Sequence, residues 1–101
     1  MSQEVLDFIK HQQVTIRQRF TEIARHADIS KENFSILLAY AVNRKLIDVK
    51  TVALRCGVNR TTVSKWRAGH NRPTSSLQRQ SIMDQVIEHI YAEIEKFSKE
   101  T

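Results

Sequence analysis

This chain has few residues that can break a helix and almost none that can cross-link it. Its 101 residues include two glycines, one proline and one cysteine. This low content of Gly and Pro argues against a loop-rich or all-β fold, because such folds need many turn residues. A single cysteine excludes a disulfide within the chain and suits the reducing cytosol. We therefore expect an all-α, cytoplasmic protein.

Membrane, export and catalytic signals are also missing. No run of eighteen apolar residues predicts a membrane span, and the N-terminus lacks a basic-then-apolar leader. The sequence has no Gly-rich phosphate loop and no serine in a nucleophile elbow. Neither Cys nor carboxylates stand at metal-ligand spacing from the four histidines, His11, His26, His70 and His89. We expect a protein that is not an enzyme and that binds no metal or cofactor.

The positive charge is concentrated in the middle of the chain. The formal net charge is +5, but residues 44–79 hold nine Lys and Arg against Asp48 alone, a local surplus of +8. Residues 1–43 are neutral and residues 80–101 are acidic. Such a surplus is typical of a protein that binds the phosphate backbone of nucleic acids. A membrane-surface function fits less well, because no segment pairs a basic face with a broad exposed apolar one.

Helical periodicity extends over nearly the whole chain. It predicts helices over about residues 3–27, 31–46, 49–56, 60–68 and 75–97. Ser30 and Asp48 precede two of them as N-caps, and the last helix begins at Thr74 or Ser75. Two adjacent β-branched residues, Val14 and Thr15, make a break in the first helix an alternative.

Residues 49–73 predict a helix, a tight turn and a second helix. Ala53 is small, so a second helix can cross closely above it. Gly57 can adopt a positive φ and end the first helix without strain. Val58 then packs inward, and Asn59 offers an N-cap to the next helix. This spacing matches the unit that places its second helix in a DNA major groove.

The second helix of this unit has two distinct faces. Val63 and Trp66 can point into a core. The opposite face carries Arg60, Thr61, Ser64, Lys65 and Ala68. Two long cations, two hydroxyls and a small residue can bind base edges and contact a thymine methyl. The alternative is a solvated basic face on a helical domain. Cys56, just before the turn, is interpreted as a small buried apolar residue rather than a redox sensor.

A longer motif extends this unit. Its residues are Gly57-Val58, then Val63-Ser64-Lys65-Trp66-Arg67-Ala68-Gly69, and finally Pro73-Thr74. The motif resembles the lambda-repressor-like (Cro/C1-type) helix-turn-helix family over about residues 32–90. The family often has an acidic residue where Arg67 stands and a polar one where Val49 stands. The resemblance implies a compact bundle of about five helices, here with an extra N-terminal helix and a long C-terminal one.

The resemblance also implies roles for individual side chains. It assigns base reading to Arg60, Thr61, Ser64 and Lys65, and phosphate contacts to Lys50 and Thr51. Asn59, Asn71 and Arg72 join the predicted backbone contacts, the last two because their loop should pass near the phosphates. An exposed polar turn is the alternative for that loop. The structural residues of the motif are Ala53, Gly57, Val58, Val63 and Trp66.

The C-terminal helix carries an apolar stripe at coiled-coil spacing. The stripe consists of Met83, Ile87, Ile90, Ile94 and Phe97, with Ile82 and Val86 beside it. We favour its packing between subunits, shared with the N-terminal helix, over packing within the chain. Residues 1–30 are then a helical extension and a candidate dimerisation element. Residues 31–101 form the DNA-binding domain with its C-terminal helix.

Two functions follow from these expectations. The first is a homodimeric, sequence-specific regulator of the small bacterial or phage kind, most simply a repressor. It would read an inverted-repeat operator in double-stranded DNA through residues 60–68. The alternative is a protein-interaction module, such as the antitoxin of a toxin–antitoxin pair, which binds a protein partner through its terminal helices.

Overall fold

The structure, a computed structural model, describes residues 2–99 and the side chains of residues 2–98. These residues form five helices and no strand, so the expected all-α fold is confirmed. The helices are α1 (Gln3–His26), α2 (Lys31–Asn43), α3 (Val49–Cys56), α4 (Arg60–Arg67) and α5 (Ser76–Lys99). Met1, Glu100 and Thr101, which the predicted domains include, lie outside the described residues. Within residues 2–99 no helix is both long and apolar enough to cross a membrane.

The two long helices, α1 and α5, pack against each other in antiparallel fashion. The Arg25 guanidinium lies over the Tyr91 ring, at 5.0 Å from its centroid. Nearer the N-terminus of α1, the Arg17 guanidinium lies over the ring of Phe97, which is near the C-terminal end of α5. Helix α1 is continuous from Gln3 to His26. The alternative of a break at Val14–Thr15 is therefore wrong, because β-branched residues lower helix propensity only slightly and tertiary packing outweighs that.

Arg17 is the buried polar contact between these two helices. Its Nη2 donates to Glu93 Oε2 at 3.2 Å, and its Nη1 donates to Gln13 Oε1 at 2.7 Å. His89 Nε2 lies 3.1 Å from the other carboxylate oxygen of Glu93. The Arg17 Nε is buried without a hydrogen-bond partner in the part of the chain that the structure describes. The contact therefore joins α1 to α5 through one charge pair with one unsatisfied donor.

The apolar stripe of α5 packs largely within the chain. Met83, Val86, Ile87 and Ile90 are buried in one core with residues of the other helices, while Ile94 and Phe97 are half-buried. The preference for packing between subunits is therefore wrong for the buried part of the stripe. The reason is tertiary: α1 folds back along α5 and covers it, which periodicity alone cannot indicate.

Helix α2 ends three residues earlier than predicted. It stops at Asn43, and Lys45 then adopts a left-handed conformation with φ 61°. The Lys45 N–H donates to the Val42 carbonyl at 3.0 Å, and the Leu46 N–H donates to the Ala41 carbonyl at 2.9 Å. This is the Schellman termination, which usually has Gly at the left-handed position. Lysine there gave no signal in the sequence.

One hydrophobic core extends through all five helices. Phe20 and Ala24 of α1 belong to the same buried cluster as Phe34 and Leu38 of α2. The Ser30 hydroxyl caps α2 as predicted, accepting from the Asn33 N–H at 3.1 Å. The predicted division of the chain after residue 30 thus passes between two helices that share a core.

Candidate nucleic-acid interface

Helix α3 begins at the predicted N-cap. The Asp48 carboxylate accepts a hydrogen bond from the Thr51 N–H at 2.7 Å. Hydrogen bonds from the Thr51 hydroxyl and N–H hold the pKa of Asp48 below its ordinary value. Two of the predicted phosphate contacts lie here. Lys50 is exposed, whereas Thr51 is half-buried and its polar groups face Asp48.

The turn between α3 and α4 has the predicted geometry. Gly57 is left-handed, with φ 68°, and a Cβ built on it would meet no atom within 4 Å. The Val58 N–H donates to the Ala53 carbonyl at 3.1 Å and closes the end of α3. Ala53 is buried and Val58 packs against the core. The turn therefore requires the backbone freedom of glycine rather than its small size.

Helix α4 begins directly after its predicted N-cap, Asn59. Asn59 Oδ1 accepts from the Thr62 N–H and from the Thr62 hydroxyl, each at 2.9 Å. The second bond is one that sequence reasoning missed, although Thr three residues after an N-cap is a visible signal. It fixes the Asn59 side chain, so a phosphate contact from this exposed residue falls to its amide NH₂ group.

The inner face of α4 is held by the core. Val63 and Trp66 are buried, and the Trp66 ring meets the Phe34 ring edge-on with centroids 5.8 Å apart. The Ser35 hydroxyl donates to the Trp66 carbonyl at 2.8 Å in a buried position. Sequence reasoning identified Val63 and Trp66 but not Ser35, whose role depends on the crossing of α2 and α4. Together these contacts fix both the position and the rotation of α4.

The outer face of α4 is open to solvent. All four predicted base-reading residues are exposed and lie on one side of the helix: Arg60, Thr61, Ser64 and Lys65. Ala68, on the same side, follows the last helical residue and is exposed too. Arg67 is a further exposed cation that the predicted face did not include. The structure thus brings the predicted residues together on a single polar, cationic surface.

The end of α4 is closed by a second left-handed glycine. Gly69 has φ 87°, and the His70 N–H donates to the Lys65 carbonyl at 2.7 Å. Asn71 is also left-handed, with φ 49°, and is exposed, whereas Arg72 is half-buried. Asn is among the residues that tolerate this conformation best, so the loop needs no further glycine. The two predicted backbone residues, Asn71 and Arg72, follow α4 directly.

One cation of the basic segment does not belong to its surface. Arg79 is 8% exposed, and its guanidinium donates to the carbonyls of Ile29, Pro73 and Thr74 at 2.8–2.9 Å. Counting it in the charge surplus was wrong, because its hydrogen bonds to main-chain carbonyls hold the loop before α5 in place. The other eight cations of residues 44–79 are exposed or half-buried.

The described residues contain no group of side chains that could hold a metal ion. Cys56 is half-buried against the core, and burial raises the pKa of its thiol. A protonated, partly buried thiol agrees with its interpretation as a small apolar residue.

Comparison of the chain with protein-family models, with curated proteins and with solved structures gives no match.

Proposed function

We propose that this protein is a sequence-specific, homodimeric DNA-binding regulator of transcription with a lambda-repressor-like fold. It acts in the cytoplasm as a repressor and reads an inverted-repeat operator through α4. It performs no catalytic step and needs no metal or cofactor. Its action is occlusion, because a dimer that covers an operator competes with RNA polymerase for the same DNA.

One observation carries the proposal: the division of α4 into a buried and an exposed face. Val63 and Trp66 anchor the helix, while Arg60 and Lys65 extend from its other side. A rigid helix presenting cations and hydroxyls is what reading of the major groove requires, since each hydrogen-bond donor must keep a fixed register against the bases. A merely solvated basic face would not need a buried tryptophan and a capped turn to position it.

The surroundings of α4 supply the proposed contacts with the phosphate backbone. Lys50 near the start of α3, Asn59 at the start of α4, and Asn71 and Arg72 after it lie on the segments that flank α4. Contacts of this kind set the position of a protein on DNA without specifying sequence. Thr51 remains in the proposal as a weaker contact, because Asp48 already engages it.

Selection from random duplex DNA at physiological salt tests the proposal, since non-specific phosphate binding is weak under that condition. Enrichment of an inverted repeat, with half-sites about one helical turn apart, is the expected result. A single enriched half-site would retain DNA reading but contradict the dimer. Without any enrichment the proposal fails.

Substitutions separate base reading from phosphate binding. Arg60→Ala or Lys65→Ala should weaken binding to the selected site by about 1–3 kcal/mol and relax its sequence preference. Lys50→Ala should instead weaken binding to selected and random DNA alike. Lys31→Ala, which removes an exposed cation at the start of α2, is the control. Equal losses on both DNAs from Arg60→Ala would contradict its role in base reading.

The antitoxin-like alternative rests on a different observation. Helix α1, outside the segment that carries the resemblance, exposes several large apolar side chains, including Phe8 and Ile23. Exposed apolar patches of this kind mark surfaces for protein partners. Self-association of the isolated chain favours the regulator, whereas a monomer with exposed apolar side chains favours the antitoxin-like alternative, so the oligomeric state discriminates between the two functions.

A further inference from the structure

The loop between α4 and α5, residues 68–75, carries Asn71 and Arg72 but has no regular structure of its own. Among the described residues, hydrogen bonds between main-chain groups reach this loop only near its ends. The N–H of His70 donates back to α4 at 2.7 Å, and the carbonyl of Ser75 accepts from α5 at 3.0 Å. The middle of the loop must therefore be held by side chains.

Arg79 of α5 supplies these contacts. Its Nη1 donates to the carbonyls of Pro73 and Thr74, each at 2.9 Å, and its Nε donates to the Ile29 carbonyl at 2.8 Å. Its N–H binds the next carbonyl, so the three consecutive carbonyls of residues 73–75 all accept from this one residue. Ile29 is buried in the core just before α2. Arg79 thus joins the loop to a fixed part of the fold.

The shape of the guanidinium explains this arrangement better than its charge does. Arg79 is 8% exposed, its partners are neutral carbonyls, and it forms no ion pair within the part of the chain that the structure describes. Burial of a cation without a counter-charge is unfavourable, and an apolar side chain could fill the same space at a lower free-energy cost. What arginine adds is a planar fork whose donors point in fixed directions.

The clamped carbonyls directly follow the two proposed phosphate contacts of the loop. Asn71 is exposed and Arg72 is half-buried, while Pro73, next to them, is buried and has a φ fixed by its ring. A loop that is closed onto α4 at one end and clamped at the other leaves these two residues little freedom. Less conformational entropy is then lost when they bind a ligand.

We propose that Arg79 is a positioning residue for DNA binding, which holds the loop so that Asn71 and Arg72 meet the phosphate backbone at a fixed distance from α4. The inference rests on the proposed function, because it concerns the phosphate contacts of that function. Arg79 itself does not touch DNA, since its donors are engaged by buried carbonyls. Its loss should weaken binding to matched and random DNA alike and leave the sequence preference of α4 unchanged.

Arg79→Lys tests the inference at constant formal charge, because lysine keeps the cation but lacks the fork. Binding of the full chain to its selected site and to random duplex DNA is measured over a series of salt concentrations. Both affinities should fall about tenfold. The slope of log affinity against log salt should become shallower by about 0.9, the value of one phosphate contact. Arg19→Lys, at an exposed position of α1, is the control and should bind like the wild type.

A double-mutant comparison separates positioning from a purely structural role. In a chain that carries Asn71→Ala and Arg72→Ala, Arg79→Lys should change DNA affinity by less than about twofold. Its effect on urea denaturation should be the same in both backgrounds. A variant that was merely destabilised would instead lose affinity equally in both. Circular dichroism under the binding conditions shows whether each variant is folded, and Arg79→Gln, which buries no charge, replaces a lysine variant that is not.

Two results would overturn the inference: an unchanged salt dependence in Arg79→Lys, or an equal loss of affinity in the two backgrounds. Both leave sequence reading by α4 standing, provided that the wild-type chain still selects a site. A wild-type chain that selects no site would overturn the proposed function and the inference together.

Discussion

The α3–α4 unit and the α1–α5 pair differ in helix length and in how their helices are joined. Helices α3 and α4 have eight residues each, and both begin at a side-chain N-cap, Asp48 or Asn59. Helices α1 and α5 have 24 residues each and are joined by buried apolar contacts and the Arg17–Glu93 pair. In the first region the local sequence sets each boundary. In the second, long-range packing determines which faces are buried.

The difference matters because short helices are not stable alone. Helices of eight residues are marginal in water, so α4 depends on its buried side for its structure. Trp66 and Val63 provide that support from a single face. The side chains of the other face are not needed for packing, so they are available for binding. A long helix has more surface than one core can cover, and α1 accordingly exposes large apolar side chains such as Phe8 and Ile23.

Removing the anchor of α4 should have the largest effect. Trp66→Ala takes a buried indole from its contact with Phe34 and should lower the free energy of unfolding by about 3–5 kcal/mol. Urea denaturation measures the loss. Leu54→Ala, at an exposed site on the neighbouring helix, should change stability little. Similar losses from both variants would show that α4 is not anchored through Trp66.

Breaking the Arg17–Glu93 contact between α1 and α5 should have the second-largest effect on stability. Arg17→Met keeps the buried stem but loses the pair with Glu93, a carboxylate that is partly exposed and still near His89. We expect a loss of about 1–3 kcal/mol, below that of a fully buried pair. Hydrogen exchange should show reduced protection in α1 before α4. Gln18→Met, at an exposed position of α1, is the control, and equal effects of the two variants would contradict a stabilising role for the Arg17–Glu93 contact.

The turn of the short unit should respond to backbone conformation alone. Gly57→Ala meets no steric contact, so its cost should be the left-handed conformation itself, about 1–2 kcal/mol. Gly57→Asn should cost less, because Asn tolerates this region better. Lys45→Gly, at the left-handed end of α2, should conversely stabilise the chain. Thermal unfolding measures the stability of the three variants. A smaller loss of stability from Gly57→Ala than from Gly57→Asn would contradict this explanation.

The cap of α3 should give the smallest effect and a defined pH dependence. Hydrogen bonds from Thr51 lower the native pKa of Asp48, so the unfolded state binds its proton more tightly. The stabilisation is therefore present above the ordinary pKa of 3.8 and is lost as pH falls through the lower native value. Asp48→Ala should cost about 1 kcal/mol at neutral pH.

Asp48→Asn separates the two parts of that effect. Asn is also a good N-cap, so most stability at neutral pH should remain, while the contribution of this site to acid unfolding disappears. Urea denaturation at pH 7 and at about pH 3 compares the variants. An unchanged pH dependence in Asp48→Asn would show that this carboxylate does not contribute to it.

Sequence reasoning succeeded where one residue type enforces one local geometry. It located the left-handed Gly57 and the N-caps at Ser30, Asp48 and Asn59. It also predicted both bounds of α3 as the structure has them. It failed at Lys45, where a residue with no left-handed preference ends α2. It also counted Arg79 with the surface charge, because burial of this cation depends on the distant Ile29 carbonyl as well as on the nearby loop, and such a contact has no local signature.

By itself, the sequence determined the helical class, the turn between α3 and α4, and the cationic face of α4, since all three depend on neighbours within a few residues. Helical periodicity placed the candidate base-reading residues on one face, and the family resemblance implied their role. Only the tertiary structure decided that α1 covers the α5 stripe while side chains such as Phe8 and Ile23 stay exposed. Periodicity alone cannot tell packing within the chain from packing between chains. The antiparallel packing of residues 76 positions apart, Arg17 and Glu93, makes that choice.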